Sequence, residues 1–94
     1  MATNATIPVI FRKFKEGDII ALFPTLQSSP DKWTTCESYQ HIGQHGAASI
    51  FLTKDTVTAL PHEYTPLLNE LISIGYKLKI YKRWQHKFDI ERYK

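Results

Sequence analysis

Ninety-four residues, 43% of them hydrophobic and 22% charged, suffice for one modest core and leave nothing over for a second. The single cysteine excludes an intrachain disulfide, and 13% aromatic content excludes a disordered polar chain. No run of about 18 apolar residues is present to cross a bilayer and segment 1–6 has no signal-peptide pattern, so a cytoplasmic, single-domain protein with no membrane partner is expected.

Along the chain, Val9 to Phe14 carries β-branched and aromatic weight, and Glu16-Gly17-Asp18 supplies the glycine of a tight turn. Ile19 to Phe23 is apolar at both parities and stops at Pro24, so it reads as the second strand of a hairpin, covered on both faces. Gln27 to Asp31 is loop by composition. Trp33 to Ile42 is rich in strand formers but mostly polar, which predicts a third strand with one exposed face, ended by Gly43 and Gly46. Ile50-Phe51-Leu52 fits either a short strand or an apolar plug.

Tyr64, Leu67, Leu68, Leu71 and Ile72 fall on one helical stripe. The helix begins either at Pro61 or at Thr65 as a cap; the earlier start places Pro66 beyond the first turn, where it deletes a hydrogen bond. Gly75 closes it. Tyr76, Leu78 and Ile80 then alternate with Lys77, Lys79 and Tyr81, the period of a half-buried strand. The order β-β-β-(β)-α-β predicts a small α+β domain, one helix packed on a mainly antiparallel sheet. Its core is expected over about 7–84, and 85–94 is expected to be a basic extension, solvated or docking a partner.

Charge is unevenly placed. From Gly75 onward seven basic residues face only Asp89 and Glu91, with aromatics interleaved. Lys77, Lys79, Tyr81 and Arg83 are expected on one exposed face of the last strand with Trp84 behind them, a pattern suited to nucleic acid or a partner protein. Alternating lysines also keep a sheet edge soluble.

The segment Cys36 to Gly46 gathers the only thiol and two of the four histidines. In an extended strand His41 and His45 lie about 13 Å apart, too far to share one metal ion unless Gly43 bends the chain, and Cys36 has the opposite parity. A Cys36 nucleophile would need a cation beside it, and no motif of a cysteine enzyme surrounds it. No glycine-rich phosphate loop or paired-carboxylate pattern occurs either, so neither an enzyme nor a cofactor is expected. The segment suits recognition of an anion or nucleotide, with amides at Gly43 and Gly46, donors on His41, Gln44 and His45, and Tyr39 stacking a base. The plainer reading is that Gly43 and Gly46 simply shape a turn.

Val9-Ile10-Phe11-Arg12-Lys13, Gly17 to Pro24, Cys36 to His45, Tyr64 to Leu68 and Ile74-Gly75-Tyr76 together resemble a group of short uncharacterised proteins of bacteriophages and bacteria, notably gut Bacteroidetes. The resemblance covers roughly 7–83 and brings no assigned activity. It implies a small effector that binds a host protein or a small anionic ligand. A homo-oligomer is also compatible with a small sheet that has exposed edges.

Overall fold

The computed structural model describes residues 6–28, 34–40 and 44–92. β1 (Ile7–Lys13) and β2 (Ile19–Phe23) form the expected hairpin. Its turn closes with Phe14 N–H donating to the Asp18 carbonyl at 2.9 Å and Gly17 N–H to the Phe14 carbonyl at 2.9 Å. Gly17 takes φ +101°, a conformation an L side chain resists.

β3 (Thr35–Gln40) pairs antiparallel with β2, and β4 (Gln44–Ser49) pairs antiparallel with β3. On the far side, β1 is shared end to end by two strands. β6 (Leu78–Tyr81) runs parallel along Ile7–Ile10, while the two-residue β5 (Val57–Thr58) runs antiparallel beside Arg12 and Lys13. The resulting order is β4-β3-β2-β1, with β5 and β6 dividing the last edge. Of the two readings of Ile50-Phe51-Leu52 the strand does not form: the segment opens a 3-10 turn over Ile50–Lys54, in which Ile50 is a buried plug and Phe51 is exposed.

Both sheet faces are covered. Val9, Phe11, Ala21, Phe23 and Tyr39 point to one face, where α1 (Pro61–Ile74) lays Leu67 and Leu71. Leu71 is fully buried, worth about 1.5–3 kcal/mol relative to exposure. Ile10, Ile20, Leu22, Cys36 and Ala48 point to the other face, under α2 (His86–Arg92).

The helix α1 uses the earlier start, and Pro66 lies inside it. Glu63 accepts from the Leu60 N–H at 2.9 Å, satisfying a donor at the helix start, and Thr65 Oγ1 donates back to the Pro61 carbonyl at 2.5 Å. Tyr64 stacks on Phe11 at 4.5 Å between centroids. Ile72, placed on the buried stripe from sequence, is exposed, because α1 leans on the sheet through the narrower Leu67–Leu71 line. At the far end Gly75, at φ +122°, and Tyr76 both donate to the Leu71 carbonyl, a left-handed closing turn.

Three other expectations are corrected. Segment 85–94 is not a tail over its described part: 86–92 is helical, and Phe88 and Arg92 are buried. Gly46 does not end a strand; it lies within β4. The exposed face expected of the third strand is only partly present: Thr35 and Glu37 keep partial exposure opposite the buried Cys36 and Ser38, but Tyr39 on their face is buried. Trp33, Ile42 and Gly43 lie outside the described residues.

Candidate functional site

The polar segment chosen from sequence is divided by the fold. Tyr39 is 1% exposed; its ring meets His45 edge-on at 4.6 Å and its hydroxyl donates to Glu70 on α1. A base cannot stack on a buried ring, so that role for Tyr39 is withdrawn. His45 is exposed on β4, on the same face as Tyr39. Gly46 accepts a hydrogen bond at its carbonyl from Ser38 Oγ at 2.9 Å, so it is structural there. His41 and Gly43 lie outside the described residues, and Gln44 is placed only by its backbone in β4.

Cys36 faces the opposite layer, fully buried beneath α2. Burial pushes its thiol up to about 12, against which the nearby Arg92 charge acts only weakly. A thiol in that state is protonated at neutral pH and is a poor nucleophile. Among the described residues no three His, Cys, Asp or Glu side chains gather as a metal site.

The C-terminal cations come together in a way spacing alone does not give. Lys79 and Tyr81 share the α2 face of β6. Lys82 and Arg83 follow the strand rather than extending it, so the expected single face of Lys77, Lys79, Tyr81 and Arg83 does not form. Instead α2 turns the chain back. Phe88 inserts under the sheet with its ring edge-on to Tyr81 at 4.9 Å and to Trp84 at 6.2 Å. That places Lys87 Nζ 5.4 Å from the Tyr81 ring centre, while Lys79 Nζ stands 5.5 Å from it. Two ammonium groups eight residues apart thus approach one aromatic ring.

The anchor of α2 is itself charged. Arg92, 2% exposed, donates through Nη1 to the Pro24 carbonyl at 2.7 Å and through Nη2 to Asp89 Oδ1 at 2.9 Å, with its guanidinium 5.5 Å from the Trp84 ring centre. Trp84 Nε1–H donates to the same Asp89 oxygen at 3.1 Å. One of the two C-terminal carboxylates is therefore engaged in holding the helix. Lys79, Lys82, Arg83 and Lys87 are all exposed, and among the described residues none of them forms an ion pair.

A cleft of about 370 Å³ opens beside Lys87, lined also by Thr6, Pro8, Thr25, Tyr81, Phe88 and, as its one acidic group, Glu91. A second cleft of about 360 Å³, mainly apolar, lies on the other side of β6 where β5 and β6 diverge, with Lys82 at its rim. The groove of about 840 Å³ beside the β1–β2 turn is mixed in sign, Lys13, Lys15 and Lys54 alternating with Glu16 and Asp55, and it selects for neither.

Comparison with known proteins finds no matching family model, no matching curated protein and no matching solved structure. No helix among the described residues is long and apolar enough to cross a membrane.

Proposed function

We propose that this protein is a non-catalytic binding module whose recognition surface is the basic end built by β6 and α2, and that it grips the sugar–phosphate backbone of a nucleic acid. The observation that carries the reading is the approach of Lys79 and Lys87, exposed and without ion pairs among the described residues, to the Tyr81 ring beside a polar cleft that Lys87 lines, with the exposed Lys82 and Arg83 following the strand directly. Phosphates are the anions such a cluster suits, because each exposed cation neutralises one and releases its counterion. With both ammonium groups close to the half-buried Tyr81 ring, contacts fall on phosphate more than on bases, so recognition is tolerant of sequence.

The test is the binding of a labelled single-stranded oligonucleotide, read by anisotropy between 50 and 200 mM salt. Three to four phosphate contacts give a log–log slope of about −2 to −3, a loss of roughly 20- to 50-fold in affinity over that range. Replacing Lys79 and Lys87 by Gln together is expected to flatten the slope by about 1.4. Absence of binding at 50 mM salt, or binding indifferent to salt, overturns the proposal.

A further inference from the structure

The two outer edges of the sheet are built differently. The β6 edge is short and carries Lys79, with Lys82 and Arg83 directly after it, the usual defence against unwanted strand pairing. The β4 edge has six residues, Gln-His-Gly-Ala-Ala-Ser, with no lysine, arginine, carboxylate or proline. Among the described residues no strand pairs with its outer side.

The direction of its backbone groups follows from the register. Ile50 N–H donates to the Thr34 carbonyl at 2.8 Å, in line with the pairing Thr35↔Ser49 through Gln40↔Gln44. Antiparallel pairs alternate between bonded and non-bonded, so Cys36↔Ala48 and Ser38↔Gly46 are bonded pairs. The N–H and C=O groups of His45, Ala47 and Ser49 accordingly point outward, away from β3. These three residues are exposed, and of them the His45 ring packs edge-on against Tyr39 at 4.6 Å.

We infer that β4 pairs with β4 of a second copy, antiparallel about a two-fold axis through Ala47, so that the two sheets become one. In this register Ala47 faces its own counterpart and His45 faces Ser49 of the second chain. The two Ala47 residues then exchange two N–H···O bonds and each Ser49 N–H reaches the His45 carbonyl of the second chain, four bonds in all, the Ser49 carbonyl being taken up in opening the 3-10 turn. A second copy is favoured over a foreign peptide because strand addition draws specificity from pockets for alternate side chains, and Gly46, Ala47 and Ala48 are too small to frame any. Charge does not oppose the pairing. Four strand spacings separate β4 from β6, so the two basic edges end up roughly 43 Å apart, several screening lengths at physiological salt.

The test uses the whole chain in light-scattering chromatography from about 10 to 300 µM. The wild-type mass is expected to rise toward that of two chains. Ala47→Lys and Ala47→Glu, changes at an exposed side chain, should each remain one chain in mass because like charges would face each other across the axis. An equimolar mixture of the two variants should regain the double mass. Amide exchange at Ala47 and Ser49 of the wild type, which needs no variant, should slow as concentration rises. A wild type of one-chain mass throughout, a dimer unmoved by Ala47→Lys, a mixture that fails to pair, or exchange independent of concentration each overturns the inference.

Discussion

Shortening Phe88 to alanine separates the contribution of α2 from that of the rest of the fold. A seven-residue helix has no stability of its own, so α2 stays in place only through what it buries. Phe88 is 1% exposed against Ile10, Leu22 and Cys36, and truncating a buried phenylalanine costs about 3–5 kcal/mol. Because α2 is the layer over the Cys36 thiol, its opening can be read by thiol labelling under native conditions. If labelling passes through release of α2, Phe88→Ala should accelerate it roughly 10²- to 4,000-fold, since every 1.4 kcal/mol is a factor of ten. The loss in global stability should be smaller than the full truncation cost, because the helix can leave while the sheet and α1 persist. The same variant should weaken oligonucleotide binding, as Lys87 departs from Tyr81. A labelling rate within threefold of wild type would show that α2 is not the cover, and the reasoning for the basic surface would lose its support.

Two further perturbations probe the opposite end of β1. The Arg12 guanidinium donates to Thr56 Oγ1 and Thr58 Oγ1 at 3.0 Å each, to the Thr53 carbonyl at 2.8 Å and to the Thr56 carbonyl at 2.5 Å, tying the 3-10 turn and β5 to the sheet. Arg12→Met is expected to cost about 2–4 kcal/mol in denaturant unfolding, and a change below about 0.5 would contradict that role. The Glu63 carboxyl is held below its usual range, first by the hydrogen bond from Lys13 and then by that from the Leu60 N–H. Its folded pKa is depressed, so the contribution is complete above the ordinary carboxylate range and is lost as pH falls through the lowered value. In an NMR titration the Glu63 midpoint should climb in Lys13→Met; an unmoved midpoint refutes the assignment.

The parts of the fold that were legible in sequence are those in which side-chain period and buried face coincide. Val9 to Phe23 declared a hairpin because apolar residues and a glycine turn agree, and Leu67 with Leu71 declared α1. β4 was hidden because Gly46-Ala47-Ala48 has little strand preference of its own and owes its conformation to pairing with β3. The helix α2 was hidden because one of its two buried residues is an arginine, a type that reads as solvent-facing until Pro24, Asp89 and Trp84 are brought around it. The basic character of the last strand was readable, but the return of Lys87 to Lys79 across Tyr81 depends on the path of the chain after Trp84. Tyr39 misled for the complementary reason: a phenol among polar neighbours suggests a surface, whereas here its hydroxyl reaches Glu70 from inside the first layer.

The most direct measurement is a residue-resolved map of amide shifts on adding a short single-stranded oligonucleotide at low salt. Changes centred on Lys79, Tyr81, Lys82, Arg83 and Lys87, fading as salt is raised, are the result this account requires. Changes centred instead on His45 and its neighbours in β4, or spread evenly over the chain, would contradict it.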